Sequence, residues 1–319
     1  MRRTLPWIPH RLSSGFEILV RTKYMDINIF IERRKALKIS QVKLCKGICT
    51  QSTLSKFENN GRVPSLNILN KLCERLGLSV DDLYKNSIAS TTHMRTTLNK
   101  IESQLMMESY PEVAKSLEEI NSDEIKNNLL KMQFYYQKGL FTALTSGKNE
   151  EVFFYFSQIL DDLDEHHQTI YSYLSYVGLG IVYSRINQIK EADFYFSKVL
   201  NYINLHKNET FDKGSINAYL RILTIVFFTA EFYVDVNNYE VGTELINRGV
   251  KLCSEKHMTY YLPRLKLLAA KVAIGQSAPQ ETVYSLLTDA LAFARINHNE
   301  VVELRINALR KQYETEIKK

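Results

Sequence analysis

The chain has few of the residues and patterns that interrupt or replace helices. Its 319 residues include only six prolines and twelve glycines, and alternating apolar and polar residues, which form strands, are almost absent. A run of about 18 apolar residues is also missing, because Thr224, Thr229 and Glu231 interrupt the most apolar segment, residues 222–234. The sequence therefore predicts an all-α protein without a membrane span, long enough for two domains.

Motifs of the common enzyme classes are missing as well. The sequence contains no P-loop, GxGxxG, GxSxG or HExxH motif. His166 and His167 follow four carboxylates in residues 161–165, which can be drawn as a metal cluster but are more simply a polar helix end. We expect no enzymatic activity, no metal site and no cofactor.

Cysteine is scarce, with only Cys45, Cys49, Cys73 and Cys253 in the chain. Cys45 and Cys49 are four positions apart, but no histidine or second cysteine pair lies close enough in sequence to complete a metal site. We interpret all four as buried structural residues of a protein in a reducing compartment, the cytoplasm.

Positive charge is concentrated near the N-terminus. The chain carries a net charge of +6, of which residues 1–24 and residues 25–84 each contribute +4, while the rest sums to −2. A basic head on a nearly neutral body is typical of a nucleic-acid-binding domain joined to a domain with another task.

Residues 40–65 have the pattern of two short helices joined by a tight turn. Ser40 and Thr50 are N-cap residues, and Gly47 tolerates the positive φ that such a turn requires. The outward positions of the second helix offer an amide, two hydroxyls and an ammonium group, which are suited to base edges in the major groove. These groups belong to Gln51, Ser52, Ser55 and Lys56.

The residues around this motif complete a predicted five-helix domain over residues 25–86. One helix precedes the motif at residues 26–37, and two follow, at residues 65–76 and 79–84. Residues 87–97, rich in small polar side chains, are predicted to be a linker or a weakly capped helix start. Residues 1–24 have no helical period; we expect translation to start at Met25, and a basic arm that contacts DNA is the alternative.

The motif resembles the helix-turn-helix of phage Cro/cI-type repressors and, more closely, that of PlcR/Rgg-type peptide-responsive regulators. The resemblance rests on residues 48–58, ICTQSTLSKFE, on the following ENNGRVPS, and on the apolar repeat of Leu66, Leu69, Leu72 and Leu76. In those families the first helix crosses the DNA backbone, so its basic residues are either phosphate contacts or an ordinary solvated face. The candidate DNA-binding residues are Arg33, Arg34, Gln41, Thr50, Gln51, Ser52, Ser55, Lys56, Asn59 and Arg62.

Residues 98–319 repeat a helical pair that is typical of tetratricopeptide-like superhelices. The clearest copy has Tyr176, Leu179, Gly180, Tyr183, Ala192, Phe196 and Val199 at the spacings of that pattern. Weaker copies align on Gly139, Ala230 and Ala270, with Tyr155 and Leu286 at the bulky position of the second helix in the first and last of them. Together with a degenerate pair at residues 98–120 we expect about five units, followed by a capping helix at residues 301–317.

The concave wall of such a superhelix is lined by the first helix of each unit. The lining is largely apolar, with cations toward its C-terminal end, so it suits a short extended peptide that carries a carboxylate; burial between units is the alternative for its apolar residues. The candidate peptide-binding residues are Tyr136, Leu140, Val177, Ile181, Arg185, Phe227, Glu231, Arg264 and Lys271.

The resemblance implies a cytoplasmic, homodimeric transcription factor that binds double-stranded DNA at a pseudo-palindromic operator. It also implies a short signalling peptide, as in quorum sensing, bound in the repeat domain. In some such regulators asparagines on the inner helices contact the peptide, whereas Val177 and Phe227 stand at those places here. Two alternatives remain: a DNA-binding regulator whose repeats bind a protein partner, as in an antitoxin or adaptor, and an interaction scaffold that has lost DNA binding.

Overall fold

A computed structural model describes residues 25–206 and 216–317 of the chain, without the side chains of residues 84–90. The chain divides into two compact units between Met94 and Arg95, a boundary that lies inside the predicted linker 87–97. The residues of that linker are helical. The expectations for residues 1–24 lie outside the described residues.

Residues 25–84 of the first unit form four α-helices and one short 3-10 helix. The four are α1 (Ile27–Ala36), α2 (Gln41–Cys45), α3 (Gln51–Asn60) and α4 (Leu66–Arg75), and the 3-10 helix is Asp81–Tyr84. Asp26 caps α1 by accepting a hydrogen bond from the backbone of Asn28 at 3.1 Å. Gly47, in the turn between α2 and α3, has φ of 76°, so the positive φ predicted at this turn is present.

The core of the first unit packs α1 against α3. Phe30 of α1 and Phe57 of α3 are fully buried, with ring centroids 5.2 Å apart in an edge-to-face arrangement. Cys45 and Cys73 are also buried in this core. Burial raises the pKa of the Cys73 thiol to about 11, so this thiol stays protonated at neutral pH.

The second unit is a stack of helical pairs that begins within α5 (Lys85–Met106), the helix that crosses the boundary. Helix α6 (Tyr110–Glu118) follows α5 in the chain. Four pairs of helices in contact come next: α7 (Asn128–Leu144) with α8 (Asn149–Ser157), α9 (Ile170–Arg185) with α10 (Ile189–Leu205), α11 (Ile216–Asp235) with α12 (Tyr239–Glu255), and α13 (Leu262–Gly275) with α14 (Gln280–Ile296). A last helix, α15 (Glu300–Ile317), packs on α13 and α14. The described residues of the second unit therefore form a succession of paired helices that ends in α15.

The small residues of the repeat pattern mark where the two helices of a pair approach closely. A Cβ atom on Gly180 would lie 2.6 Å from the ring of Phe196, which is the predicted contact between α9 and α10. In the first copy, however, Gly139 faces Phe156 and not the predicted Tyr155.

The last copy is shifted in the same way, because Leu287 is buried and Leu286 is only partly buried. Connections 145–148 and 276–279 have four residues, whereas 186–188 and 236–238 have three. The extra residue in the longer connections moves the bulky position of the second helix by one residue, from Tyr155 to Phe156 and from Leu286 to Leu287.

Helix α11 is the one helix within residues 25–206 and 216–317 that is long and apolar enough to cross a membrane by length and composition alone. In the repeat unit 72% of its most apolar window is buried. It packs against α9, α10, α12 and α13, which is the environment of a core helix.

Candidate DNA-binding surface and candidate peptide-binding wall

The helix-turn-helix is held by caps at both of its helices. The Oγ atom of Ser40 accepts a hydrogen bond from the backbone of Lys43, and the Oγ1 atom of Thr50 accepts one from the backbone of Thr53, each at 3.2 Å. At the end of α2 the guanidinium of Arg75 donates to the carbonyl oxygens of Leu44 and Lys46, at 2.8 and 2.7 Å. Thr50 therefore has a structural role. Arg75 has one as well, although the sequence analysis did not single it out.

A chain of polar side chains joins α1, α2 and α3. Arg34 donates two hydrogen bonds to the carboxylate of Glu58, at 2.6 and 2.7 Å, and a third to the carbonyl oxygen of Ile39, at 2.9 Å. Gln41 donates to the same carboxylate, and Gln51 donates to the side-chain oxygen of Gln41, each at 2.8 Å. Glu58 is therefore the centre of a network that positions the first residue of α3.

This network corrects the prediction that Arg34 contacts phosphate. The side chain of Arg34 is only 13% exposed, and that of Glu58 only 3%. All three guanidinium nitrogens of Arg34 donate hydrogen bonds to groups of the first unit, because the buried carboxylate of Glu58 needs a partner. Arg33 remains exposed, and its Nε atom donates to the carbonyl oxygen of Leu76 at the end of α4, at 3.1 Å.

The outward face of α3 presents the groups expected from the sequence. Most of the candidate residues here are exposed, whereas Ser55 is partly buried and accepts a hydrogen bond from Asn59 at 3.1 Å. The exposed candidates are Gln51, Ser52, Lys56, Asn59 and Arg62. One helix face thus carries two amides, a hydroxyl and a lysine, with an arginine directly after the helix.

The predicted wall of the repeat unit is not an open apolar groove. Tyr136, Leu140, Val177 and Phe227 are each 1% exposed or less, and only Ile181 among the predicted apolar residues is partly exposed. This corrects the expectation that all five face a ligand and favours the alternative, burial inside the unit. Other parts of the unit cover this wall: α5 is hydrogen-bonded to α7 and α11, and Phe227 is stacked on Tyr261.

Hydrogen bonds define how α5 lies on the wall. Gln137 of α7 donates to the carbonyl oxygen of Leu98 at 2.8 Å, and Gln133 of α7 donates to the side chain of Asn99 at 3.1 Å. Glu102 of α5 is fully buried and accepts two hydrogen bonds from Arg221 of α11. Burial raises the pKa of the Glu102 carboxyl, and the charge of Arg221 opposes that shift.

The cations of the wall are also engaged, which corrects the expectation that they lie free in a groove. Arg264 is 5% exposed, and its guanidinium carbon lies 4.0 Å from the ring centroid of Phe227. Its nitrogens are 3.5 Å from the carboxylate of Glu108 and 3.7 Å from that of Glu231. Arg305 of α15 shares Glu108 at 2.9 Å.

Arg185 and Lys271 lie outside this cluster. Arg185 donates to the carbonyl oxygens of Ala143 and Gly147 and to the side chain of Asn149, so it closes the connection between α7 and α8. Lys271 is 41% exposed and lies 3.4 Å from Asp235. Arg185 is therefore a structural residue, whereas Lys271 remains accessible.

The two units match known proteins in different ways. A family model described as helix-turn-helix matches residues 30–83. Residues 30–83 form a helix-turn-helix domain. A search of the curated proteins found no match.

About nine tenths of the chain resembles the solved structures of PlcR and ComR. PlcR of Bacillus thuringiensis, crystallised with the peptide PapR7 and DNA, is 13% identical with a TM-score of 0.54, over 91% of this chain and 99% of that one. ComR of Streptococcus vestibularis, with its cognate signalling peptide XIP, is 15% identical with a TM-score of 0.60, over 90% and 98%. Apo ComR of S. thermophilus is 16% identical with a TM-score of 0.53, over 91% and 99%. The chain has the PlcR/ComR fold.

Within this fold, the features missed by the sequence analysis are carboxylates that pair across long stretches of sequence. Glu58, Glu102 and Glu108 each bind an arginine of another helix. Asp164, drawn above as part of a metal cluster, instead accepts hydrogen bonds from the backbones of Gln168 and Thr169. These bonds and others from the side chains of Thr169 and Ser172 keep the pKa of Asp164 low although its partial burial acts to raise it. No local sequence signal distinguishes these carboxylates from solvated ones.

Proposed function

We propose that the protein is a sequence-specific DNA-binding transcriptional regulator controlled by a short signalling peptide bound in its repeat unit. The observation that carries this proposal is the combination of a helix-turn-helix with an exposed polar α3 face and a whole-chain PlcR/ComR fold. Such a regulator acts in the cytoplasm, where its DNA is, and has no enzymatic activity of its own.

In this proposal α3 is the recognition helix. Gln51 and Asn59 carry amides that can pair with adenine, while Ser52 and Ser55 accept or donate to either base. Lys56 contributes positive charge from the same helix, and Arg62 and Arg33 flank it for contacts with the phosphate backbone. Because one such helix reads only a few base pairs, the protein acts as a homodimer on a pseudo-palindromic operator.

The peptide contacts are proposed for the part of the wall that remains accessible. Ile181 and Lys271 are partly exposed, and Glu231 is 34% exposed beside Arg264. Solved structures of PlcR and of ComR each contain a bound peptide. A short apolar peptide with one carboxylate matches the aliphatic and cationic groups at this place.

A footprint of the protein on its own upstream DNA, with and without candidate peptides, tests both halves of the proposal. The candidates come from short neighbouring reading frames that encode secreted peptides. We expect protection of two half-sites about one helical turn apart, and a change in the footprint when the cognate peptide is added. Protection of one unpaired half-site by a monomer would contradict the dimer.

One observation favours the alternative, in which the repeats bind a protein partner. Phe154 of α8 and Phe194 of α10 are 54% and 56% exposed on the second helices of their pairs. Exposed aromatic side chains are enriched where proteins associate. A neighbouring toxin gene and a footprint that changes only when its product is added would favour this function.

A further inference from the structure

Helix α5 and the turn that follows it bring two carboxylates to the arginines of later repeats. Glu102 accepts hydrogen bonds from Arg221 at 2.9 and 3.0 Å. Glu108, two residues beyond the end of α5, accepts two from Arg305 at 2.9 and 3.0 Å and lies 3.5 Å from Arg264. The first helical pair is thereby fastened to the last pair and the capping helix inside the repeat unit.

The surroundings of Arg264 are those of a built carboxylate site. Its guanidinium is packed on the ring of Phe227, and the ring centroids of Phe228 and Tyr261 are 5.4 and 5.5 Å away. The Nη1 atom of Arg264 is buried and lies 3.5 Å from the carboxylate of Glu108, yet it makes no hydrogen bond among the described residues. A buried guanidinium nitrogen without a hydrogen bond leaves a donor unused, at a place where a better-placed carboxylate oxygen can bind strongly.

We propose that Glu108 is an internal competitor for the carboxylate of the signalling peptide. Its carboxylate holds the site formed by Arg264 and Arg305, and a peptide carboxylate that enters this site replaces it. Displacement releases the turn between α5 and α6 from α13 and α15. The inference rests on the proposed function, since it names the contact through which a peptide acts.

Chain continuity gives this exchange a route to the helix-turn-helix. Helix α5 runs without interruption from Lys85 to Met106 and starts directly after the 3-10 helix that ends the first unit. Release of Glu108 therefore frees the C-terminal end of the same helix that leads out of the DNA-binding domain. Glu102 and Arg221 form a second attachment that keeps α5 on the wall when no peptide is present.

The test uses the full chain and a set of immobilised apolar heptapeptides. Each peptide is made with a free C-terminal carboxylate, as the C-terminal amide, and as the amide with one internal glutamate. Retention is measured for the wild type, for Glu108→Gln, and for Glu112→Gln as a control, because Glu112 is an exposed acid four positions further on. We expect Glu108→Gln to retain carboxylate-bearing peptides about tenfold better than the wild type, the ratio that one charge-assisted hydrogen bond supplies. Amidated peptides without the glutamate should be retained no better by Glu108→Gln than by the wild type. The control variant Glu112→Gln should retain no peptide better than the wild type.

The free-acid and internal-glutamate peptides show whether the competing carboxylate is terminal or on a side chain. Hydrogen exchange of residues 98–108 in the wild type, with and without the best-retained peptide, gives a second measurement that does not depend on the folding of Glu108→Gln. We expect faster exchange with the peptide. Equal retention by all three proteins, with unchanged hydrogen exchange, would show that Glu108 does not compete with the peptide carboxylate, while the proposed peptide binding would stand. Retention of no peptide by any of them overturns the peptide-responsive function as well.

Discussion

Glu102 of α5 and Arg221 of α11 are 119 positions apart in sequence and joined by two hydrogen bonds of 2.9 and 3.0 Å. The guanidinium of Arg221 also lies 5.0 Å from the ring centroid of Tyr171 on α9. One ion pair therefore connects three helical pairs of the repeat unit. Both side chains are largely withdrawn from water, at 0% exposure for Glu102 and 12% for Arg221.

Removal of one member of this pair should destabilise the repeat unit strongly. We expect Arg221→Met to lower the free energy of unfolding by about 3–5 kcal/mol, because the carboxylate of Glu102 is left buried without its partner. The double variant Glu102→Leu/Arg221→Met should recover much of this loss. Chemical denaturation measures both, with Lys251→Met as the control, since the Lys251–Glu255 pair is exposed. A loss no larger than that of the control would contradict the assignment.

Arg34 should prove to be structural. Arg34→Met removes three hydrogen bonds and leaves Glu58 buried, so we expect the free energy of local opening of α1 and α3 to fall by about 2–3 kcal/mol. Hydrogen exchange of their backbone amides measures it. Lys35→Met is the matched control, because Lys35 is an exposed neighbour on α1. Equal protection in both variants would return Arg34 to the candidate phosphate contacts.

The two kinds of contact proposed for α3 should respond differently to substitution. Gln51→Ala should weaken binding to the operator by about 1–3 kcal/mol and relax the preference at one base pair. Lys56→Ala and Arg62→Ala should weaken all sequences more evenly and reduce the salt dependence. Titrations of operator and scrambled DNA at several salt concentrations separate the two. An unchanged preference in Gln51→Ala would show that α3 does not read this base.

The close approach of α9 and α10 depends on Gly180. Gly180→Ala should destabilise the repeat unit by about 1–3 kcal/mol through overpacking, because the added Cβ meets a buried aromatic ring at 2.6 Å. The double variant Gly180→Ala/Phe196→Leu should be less destabilised than the sum of its single substitutions. Thermal unfolding measures the three variants. A strictly additive result would show that the ring of Phe196 is not what limits this position.

Glu231 should make stability depend on pH in a defined direction. Partial burial raises the pKa of its carboxyl, which is 34% exposed, above the ordinary value of 4.5, although the charge of Arg264 opposes the shift. Since the folded state then holds this proton more tightly than the unfolded state, the stabilising contribution of Glu231 declines as pH rises from 4.5 through the folded pKa.

Comparison with Glu231→Gln isolates this contribution. The wild type should lose stability relative to the variant as pH rises above 4.5, as measured by denaturant unfolding at each pH. Glu112→Gln is the control for an exposed carboxyl. A difference between wild type and Glu231→Gln that stays constant with pH would contradict the raised pKa.

Much of this fold could be predicted from short-range sequence signals. The scarcity of proline and glycine, the cap residues Ser40 and Thr50, and the tight turn at Gly47 predicted the all-α class and the helix-turn-helix, and the structure and the family match confirm both. The first helices of the pairs were also predictable, because Gly139 and Gly180 lie where two helices approach. Such signals act within one or two helical turns of their own residues.

The sequence by itself determined the all-α class, the helix-turn-helix and the succession of helical pairs, since caps, turns and helical periods are local. Only the tertiary structure decided which charges pair, because an arginine or glutamate in sequence carries no mark of its partner. Arg34 and Arg264 have the sequence features of exposed cations, yet both are largely buried in ion pairs, with Glu58 and Glu108 respectively. The placement of α5 on the wall had the same origin: it depends on hydrogen bonds and ion pairs between helices that are far apart in the chain.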